Sequence, residues 1–191
     1  MIGRLKIAVR VLVVLLVCAA VVEARPAHAG DPAFLSIGVG SFGWNNPTDP
    51  QTEVRLEYRG EKLLNSVKPL IALGGTYCPG EIINSCEGSG TTGNGFFGGG
   101  ALMDFFFGHR IVVSPSFGAF YYIGGNKDLD LDYPLEFRMQ LEFGYRFDDR
   151  SRLSLGVSRY ENFGLGDSNP GVESAIIYYS MPFDMLFDRK R

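Results

Sequence analysis

Leu135-Glu136-Phe137-Arg138-Met139-Gln140-Leu141-Glu142-Phe143-Gly144-Tyr145-Arg146-Phe147 is the stretch that decides the fold. Its odd positions are all apolar or aromatic, whereas its even positions are Glu, Arg, Gln, Glu, Gly and Arg. Side chains of an extended chain point alternately to opposite faces, so a period of two marks a β-strand with one apolar and one polar face. A soluble sandwich buries the apolar face in its core. A transmembrane barrel inverts the arrangement, with lipid outside and polar groups within. The alternation alone fits both.

Working outward, the same period recurs, and eight strands are expected: about 33–42, 52–59, 68–77, 95–106, 110–123, 135–147, 152–161 and 172–183. No segment after the N-terminus approaches the length of a spanning helix. An exported chain of this kind enters a membrane only as a closed barrel, in which every backbone group is paired. The connections support that reading. The first, third, fifth and seventh are long and rich in Gly, Asn and Asp (GWNNPTDPQ, the cysteine loop, GGNKDLDLDYP, NFGLGDSNPG), whereas FGHR and DDRS are short. Outer-membrane barrels show this asymmetry between long external loops and short periplasmic turns. The expected fold is therefore all-β, an eight-stranded antiparallel transmembrane β-barrel of the outer-membrane type, its interior filled by side chains.

The N-terminus agrees with export. Arg4, Lys6 and Arg10 precede an apolar run from Val11 to Val22, and Ala27-His28-Ala29 offers the small-x-small pattern of a signal-peptidase site. That run is too short for a spanning helix, which needs about 20 apolar residues. The expected organisation is a cleaved signal peptide at 1–29, one barrel domain at 30–183 and a tail at 184–191. Cleavage removes four basic side chains (Arg4, Lys6, Arg10, Arg25) and one acidic (Glu23), so the formal charge moves from −3 to −6. An acidic chain without a basic stripe is unsuited to nucleic acid. Export also places Cys78 and Cys86, within YCPGEIINSCEGSG, where a disulfide persists. No His or third Cys stands near them to complete a metal site, and no cofactor motif is present. GNGFFGGG at 93–100 lacks the helix and Lys-Ser/Thr of a phosphate loop and reads as small residues in a curved strand. DLDLD at 128–132 lacks the spaced Gly and distal Glu of a calcium loop and reads as a solvated acidic segment. The 15 Phe and 9 Tyr gather near strand ends, as interfacial girdles do.

The segment that carries chemistry is SRYENFGLGDSNPGVES, residues 158–174, which spans the last long loop and its flanking strands. With PLEFRMQLEFGYRF before it and YYSMPF after, it resembles the lipid A 3-O-deacylase (PagL) family. There a strand bearing His-x-Ser-Asn runs through a loop ending in Asn-x-Gly-x-Glu-Ser. The resemblance implies an outer-membrane barrel that acts on lipid A of lipopolysaccharide, with ester hydrolysis by a Ser nucleophile, a His base and an orienting carboxylate. Asn162 falls on the motif Asn, Asn169 and Gly171 on the loop signature, and Glu173 on the acid. Arg159 stands where the family has His, and Glu161 where it has Ser.

An arginine cannot serve as the base, because its guanidinium stays protonated. Beside it, the Glu161 carboxylate is stabilised and is a weak nucleophile. Strand parity puts Arg159, Glu161 and Glu173 on the lipid side, and Ser158 and Ser174 inside. A charge on the lipid face is tolerated only near the interface, so the three are expected at the outer headgroup level. His109 falls in a turn at the opposite end. Three readings stand: a lipid A deacylase-like protein with an altered dyad, a non-catalytic barrel that binds lipid A or stiffens the outer leaflet, with Asn162, Asn169 and Gly171 as lipid-binding or loop residues, or an unrelated small barrel of adhesin or structural type. No pattern fixes an oligomeric state.

Overall fold

A computed structural model of the chain describes residues 31–44, 51–63, 66–77, 93–124 and 131–187. The proposed signal peptide, Cys78, Cys86 and most of the 128–132 segment lie outside these residues. The strands are β1 (Phe34–Phe42), β2 (Gln51–Arg59), β3 (Val67–Tyr77), β4 (Asn94–Met103), β5 (Phe105–Phe107), β6 (Ile111–Ile123), β7 (Leu135–Arg146), β8 (Arg152–Glu161) and β9 (Val172–Pro182). A single helical turn, α1 (Phe183–Phe187), follows. All pairings are antiparallel; apart from β4 with β6, they join sequence neighbours, and β1 with β9 completes the ring. β4 and β5 pair with β6 in one continuous register, so together they form one stave of an eight-stranded closed barrel. That stave is interrupted beside Asp104, whose neighbour Met103 faces Pro115 in the shared register; a proline has no N–H to give to the ladder.

Every expected strand forms, with ends shifted by at most one residue. The one change of type is Phe183, which starts α1 instead of ending β9, although its N–H still donates to the Ala33 carbonyl at 2.8 Å.

The faces settle which alternative the alternation means. On β2, Gln51, Glu53, Arg55, Glu57 and Arg59 are buried inside, while Thr52, Val54, Leu56 and Tyr58 are exposed outside. On β7, Glu136, Arg138, Gln140 and Glu142 are buried, and Met139, Leu141, Phe143 and Tyr145 are exposed. This is the inverse of a soluble protein. Ile71 and Ile177 are 63% and 59% exposed, outward apolar side chains on their neighbouring strands are exposed as well, and contiguous apolar surface of that kind is rare on a soluble monomer.

The interior is filled in layers. Near the long-loop end, Phe42, Ala72, Phe96, Phe120, Tyr122, Leu131, Tyr160 and Val172 form an apolar plug. Below it lies a charge network centred on Glu57, which accepts from Arg59 at 2.8 Å and Arg138 at 2.9 Å. Arg59 also donates to both oxygens of Glu142, at 2.8 and 2.7 Å. At the opposite end Arg152 bridges Asp31 at 2.6 Å and Asp104 at 3.0 Å, with Lys68 bound to the same two carboxylates. Buried charges are retained only when paired in this way. The glycines of 95–100 belong to β4, where bulk is excluded: a Cβ on Gly100 would lie 2.1 Å from the Phe117 carbonyl oxygen.

Candidate functional site

β8 and β9 run side by side with Arg159 directly opposite Glu173. The odd residues of β8 face outward, since Leu153, Leu155 and Val157 are exposed while Arg152, Ser154 and Ser158 are buried. Arg159 and Glu161 continue the outward series at the long-loop end of the strand. Glu173 shares that side with Ala175, Ile177 and Tyr179. Arg159 Nε donates to Glu161 Oε1, and Nη1 donates to Glu173 Oε1. The three side chains keep 42%, 21% and 19% of their surface exposed. The triad is thus a partly exposed ion cluster of net charge −1 in which one guanidinium bridges two carboxylates. On the β7 side, Met139 stands opposite Arg159 and Phe137 opposite Glu161.

This arrangement holds neither base nor nucleophile of the serine-esterase kind. The two serines of the segment that lie in strands are turned away. Ser158 is buried, and Ser174 Oγ donates to Glu53 inside the barrel. His109, the one histidine among the described residues, lies in the Gly108–Arg110 turn at the other end. Among the described residues, no three His, Cys, Asp or Glu side chains converge on a common metal position.

The loop beyond β8 is organised by Asn162, which is fully buried. Its Nδ2 donates to the carbonyls of Leu131 at 3.2 Å and Ser168 at 2.8 Å, and its Oδ1 accepts the Gly164 N–H at 2.8 Å. Asn169 accepts the Asn162 N–H at 3.1 Å. These bonds order the loop beyond β8. Gly171, with φ +58°, occupies backbone space that a side chain rarely adopts, and a Cβ there would lie 2.7 Å from Arg159 Nη2. The glycine lets the loop re-enter β9 over the guanidinium.

Two contributors were not singled out in the sequence. Asp132, read there as part of a solvated acidic segment, accepts the Ser168 N–H at 2.6 Å and so ties the β6–β7 loop to the β8–β9 loop. Its φ of +67° suits an Asp, and that tolerance is the only local hint the sequence offers. Phe163, also at positive φ, places its ring 5.2 Å from Phe137, which stacks on Phe117. Phe137 was legible as an outward residue. Its loop partner was not.

Residues 33–182 match the lipid A 3-O-deacylase (PagL) family. The chain belongs to that family. The PagL-type fold appears in solved structures as well. The outer membrane enzyme PagL is 20% identical, with a TM-score of 0.53 over 78% of this chain and 99% of that one. Neisserial surface protein A (NspA) is 8% identical, with a TM-score of 0.52 over 79% of this chain and 96% of that one. At those identities the likeness is one of fold. No curated protein matches the chain. The PagL match ends at Pro182, so α1 and the residues after it lie beyond it.

Proposed function

We propose that this PagL-family protein is an exported outer-membrane barrel that engages lipid A at the outward face of β8 and β9 without hydrolysing it by a Ser–His dyad. The observation that carries the reading is the bridging of Glu161 and Glu173 by Arg159 at the outer end of the two strands. The three residues occupy the positions that resemble the family's Ser, Glu and His. A guanidinium cannot take a proton from a nucleophile, and a carboxylate held by one is a poor attacking group. The same guanidinium has five donors, and with two aimed at carboxylates and the group 42% exposed, others face the headgroup layer. There they can meet the phosphate, hydroxyl or ester oxygens of lipid A. In the same reading, residues 1–29 are removed on export, the barrel occupies 30–183, and Cys78 and Cys86 form a disulfide in the third-strand loop.

The test is mass spectrometry of lipid A from cells expressing the protein, set against empty vector and Arg159→His with Glu161→Ser. The natural protein should leave the lipid A mass unchanged, and the double substitution should release one ester-linked acyl chain. Deacylated lipid A with the natural protein would overturn the reading. Native mass spectrometry of the purified barrel covers binding: lipid A should stay bound, and Arg159→Gln should reduce its retention. Equal retention by both would remove Arg159 from the contact.

A further inference from the structure

The outward face of the barrel carries a groove toward its short-turn end. Two rows of side chains wall it across β6 to β9: Ile111, Tyr145 and Leu153 in one, Phe143, Leu155 and Ile177 in the other. Gly144 and Ser154 lie opposite each other between the rows. The first has no side chain, and the second turns its hydroxyl inward to Glu142 at 2.6 Å, so neither stands up from the floor. The groove encloses about 410 Å³, within the range of small-molecule sites. At its edge the Tyr145 hydroxyl accepts from Arg110 Nη1 at 3.0 Å, and the guanidinium carbon lies 5.7 Å from the Tyr145 ring centre. Arg110 Nη2 donates to Asp148 at 2.8 Å. Exposure rises along this line, since Arg110 is 48% exposed and Asp148, in the β7–β8 connection, is 88% exposed. From the groove toward water the chemistry therefore runs apolar, cationic, anionic.

We propose that the groove holds an acyl chain of a zwitterionic aminophospholipid of the periplasmic leaflet, with Arg110 at its phosphate and Asp148 at its ammonium. This rests on the outer-membrane reading above, in which the short turns are periplasmic. Such a lipid presents the same order from the bilayer centre to water: chain, phosphate, amine. An anionic headgroup is a poorer match, because Asp148 already neutralises Arg110 and repels a second anion. A quaternary ammonium carries the right charges but has no N–H to give to the carboxylate. The groove walls are outward residues continuous with the apolar face of the strands, so the occupant comes from the bilayer. Arg159 and Glu161 lie at the opposite end of β8, which makes this a site separate from theirs.

The experiment uses the full barrel. Flotation with vesicles tests the membrane reading first. Native mass spectrometry then compares retention of phosphatidylethanolamine, phosphatidylcholine and phosphatidylglycerol with identical acyl chains. Phosphatidylethanolamine should be preferred by up to about five-fold, the value of one exposed charge pair. Asp148→Asn should remove its preference over phosphatidylcholine, and Arg110→Gln should weaken retention of all three. Arg150→Gln, which breaks the exposed pair with Asp184 at the same end, should change neither. Leu155→Trp fills the groove from outside and should release the lipid, whereas Ile71→Trp, outward on β3, should not. A barrel that floats but holds the three lipids equally overturns the site alone, as does retention that survives Leu155→Trp or falls as much with Arg150→Gln as with Arg110→Gln. A dimer that Leu155→Trp dissociates gives the groove to a second copy and overturns the lipid site. A barrel that does not float overturns the membrane reading and the site with it.

Discussion

Arg159 and Glu173 face each other across the β8–β9 ladder, and the same guanidinium reaches forward along its own strand to Glu161. Because Arg159 is 42% exposed, solvent and salt weaken the cluster, and its contribution to stability is small. Arg159→Gln should therefore lower stability by about 1 kcal/mol or less in detergent at low salt. The difference should shrink further at about 1 M salt, where screening acts within about 3 Å. Urea unfolding followed by tryptophan emission at two salt concentrations checks this. A loss of several kcal/mol would mean the triad is far less hydrated than its exposure implies.

Asn162 should behave differently, since its side chain is fully buried and its amide is bonded on both sides. Asn162→Ala strands two carbonyls and one N–H, and each buried group left unpaired costs about 1–3 kcal/mol. The damage should stay in the loops, because the ladder of β8 ends at Glu161. Limited proteolysis should show faster cleavage near 131–134 and 162–171, while the strand content read by circular dichroism stays unchanged. Asn162→Asp keeps the acceptor for Gly164 but loses both donations, so it should not rescue loop protection.

What the sequence made legible follows from the range over which each signal acts. The strands of β2 and β7 were readable because alternation is a local property, and the turn residues that end them are local as well. The outward placement of Arg159, Glu161 and Glu173 followed from the same parity. The interruption of the fourth stave was not readable, because it arises where Met103 meets Pro115 on another strand. Nor was the tie from Asn162 to Leu131 or from Ser168 to Asp132, since a side-chain bond to a distant loop leaves no periodic trace. The even positions of β7 were readable as polar. Their partners, such as Glu57 for Arg138, depend on how the sheet closes.

Gly171 tests whether the loop or the strand positions the guanidinium. Gly171→Ala forces a side chain into the left-handed region, which costs roughly 1–2 kcal/mol, and drives its Cβ toward Arg159 Nη2. The guanidinium must move, loosening its bond to Glu173. Lipid A retention by Gly171→Ala should fall as it does for Arg159→Gln, with the rest of the barrel intact. A variant that loses stability but retains lipid A normally would separate the loop from the site.

The interior should respond most strongly to the loss of a single charge. Glu57 is almost wholly buried and faces three guanidiniums, those of Arg55, Arg59 and Arg138. Glu57→Leu removes the only carboxylate shown ion-paired to Arg138 among the described residues and leaves cations crowded in a space closed to water. Breaking a buried pair by removing one partner costs about 3–5 kcal/mol, because the remaining charge keeps its desolvation penalty. The temperature at which the barrel unfolds, followed by circular dichroism, should therefore drop well below that of Arg159→Gln. Replacing both partners, Glu57→Leu with Arg138→Met, should recover part of the loss, since an apolar pair carries no unpaired charge. Should the double variant be no more stable than Glu57→Leu, the penalty would lie with Arg55 and Arg59, and the network would act as one unit centred on Glu57.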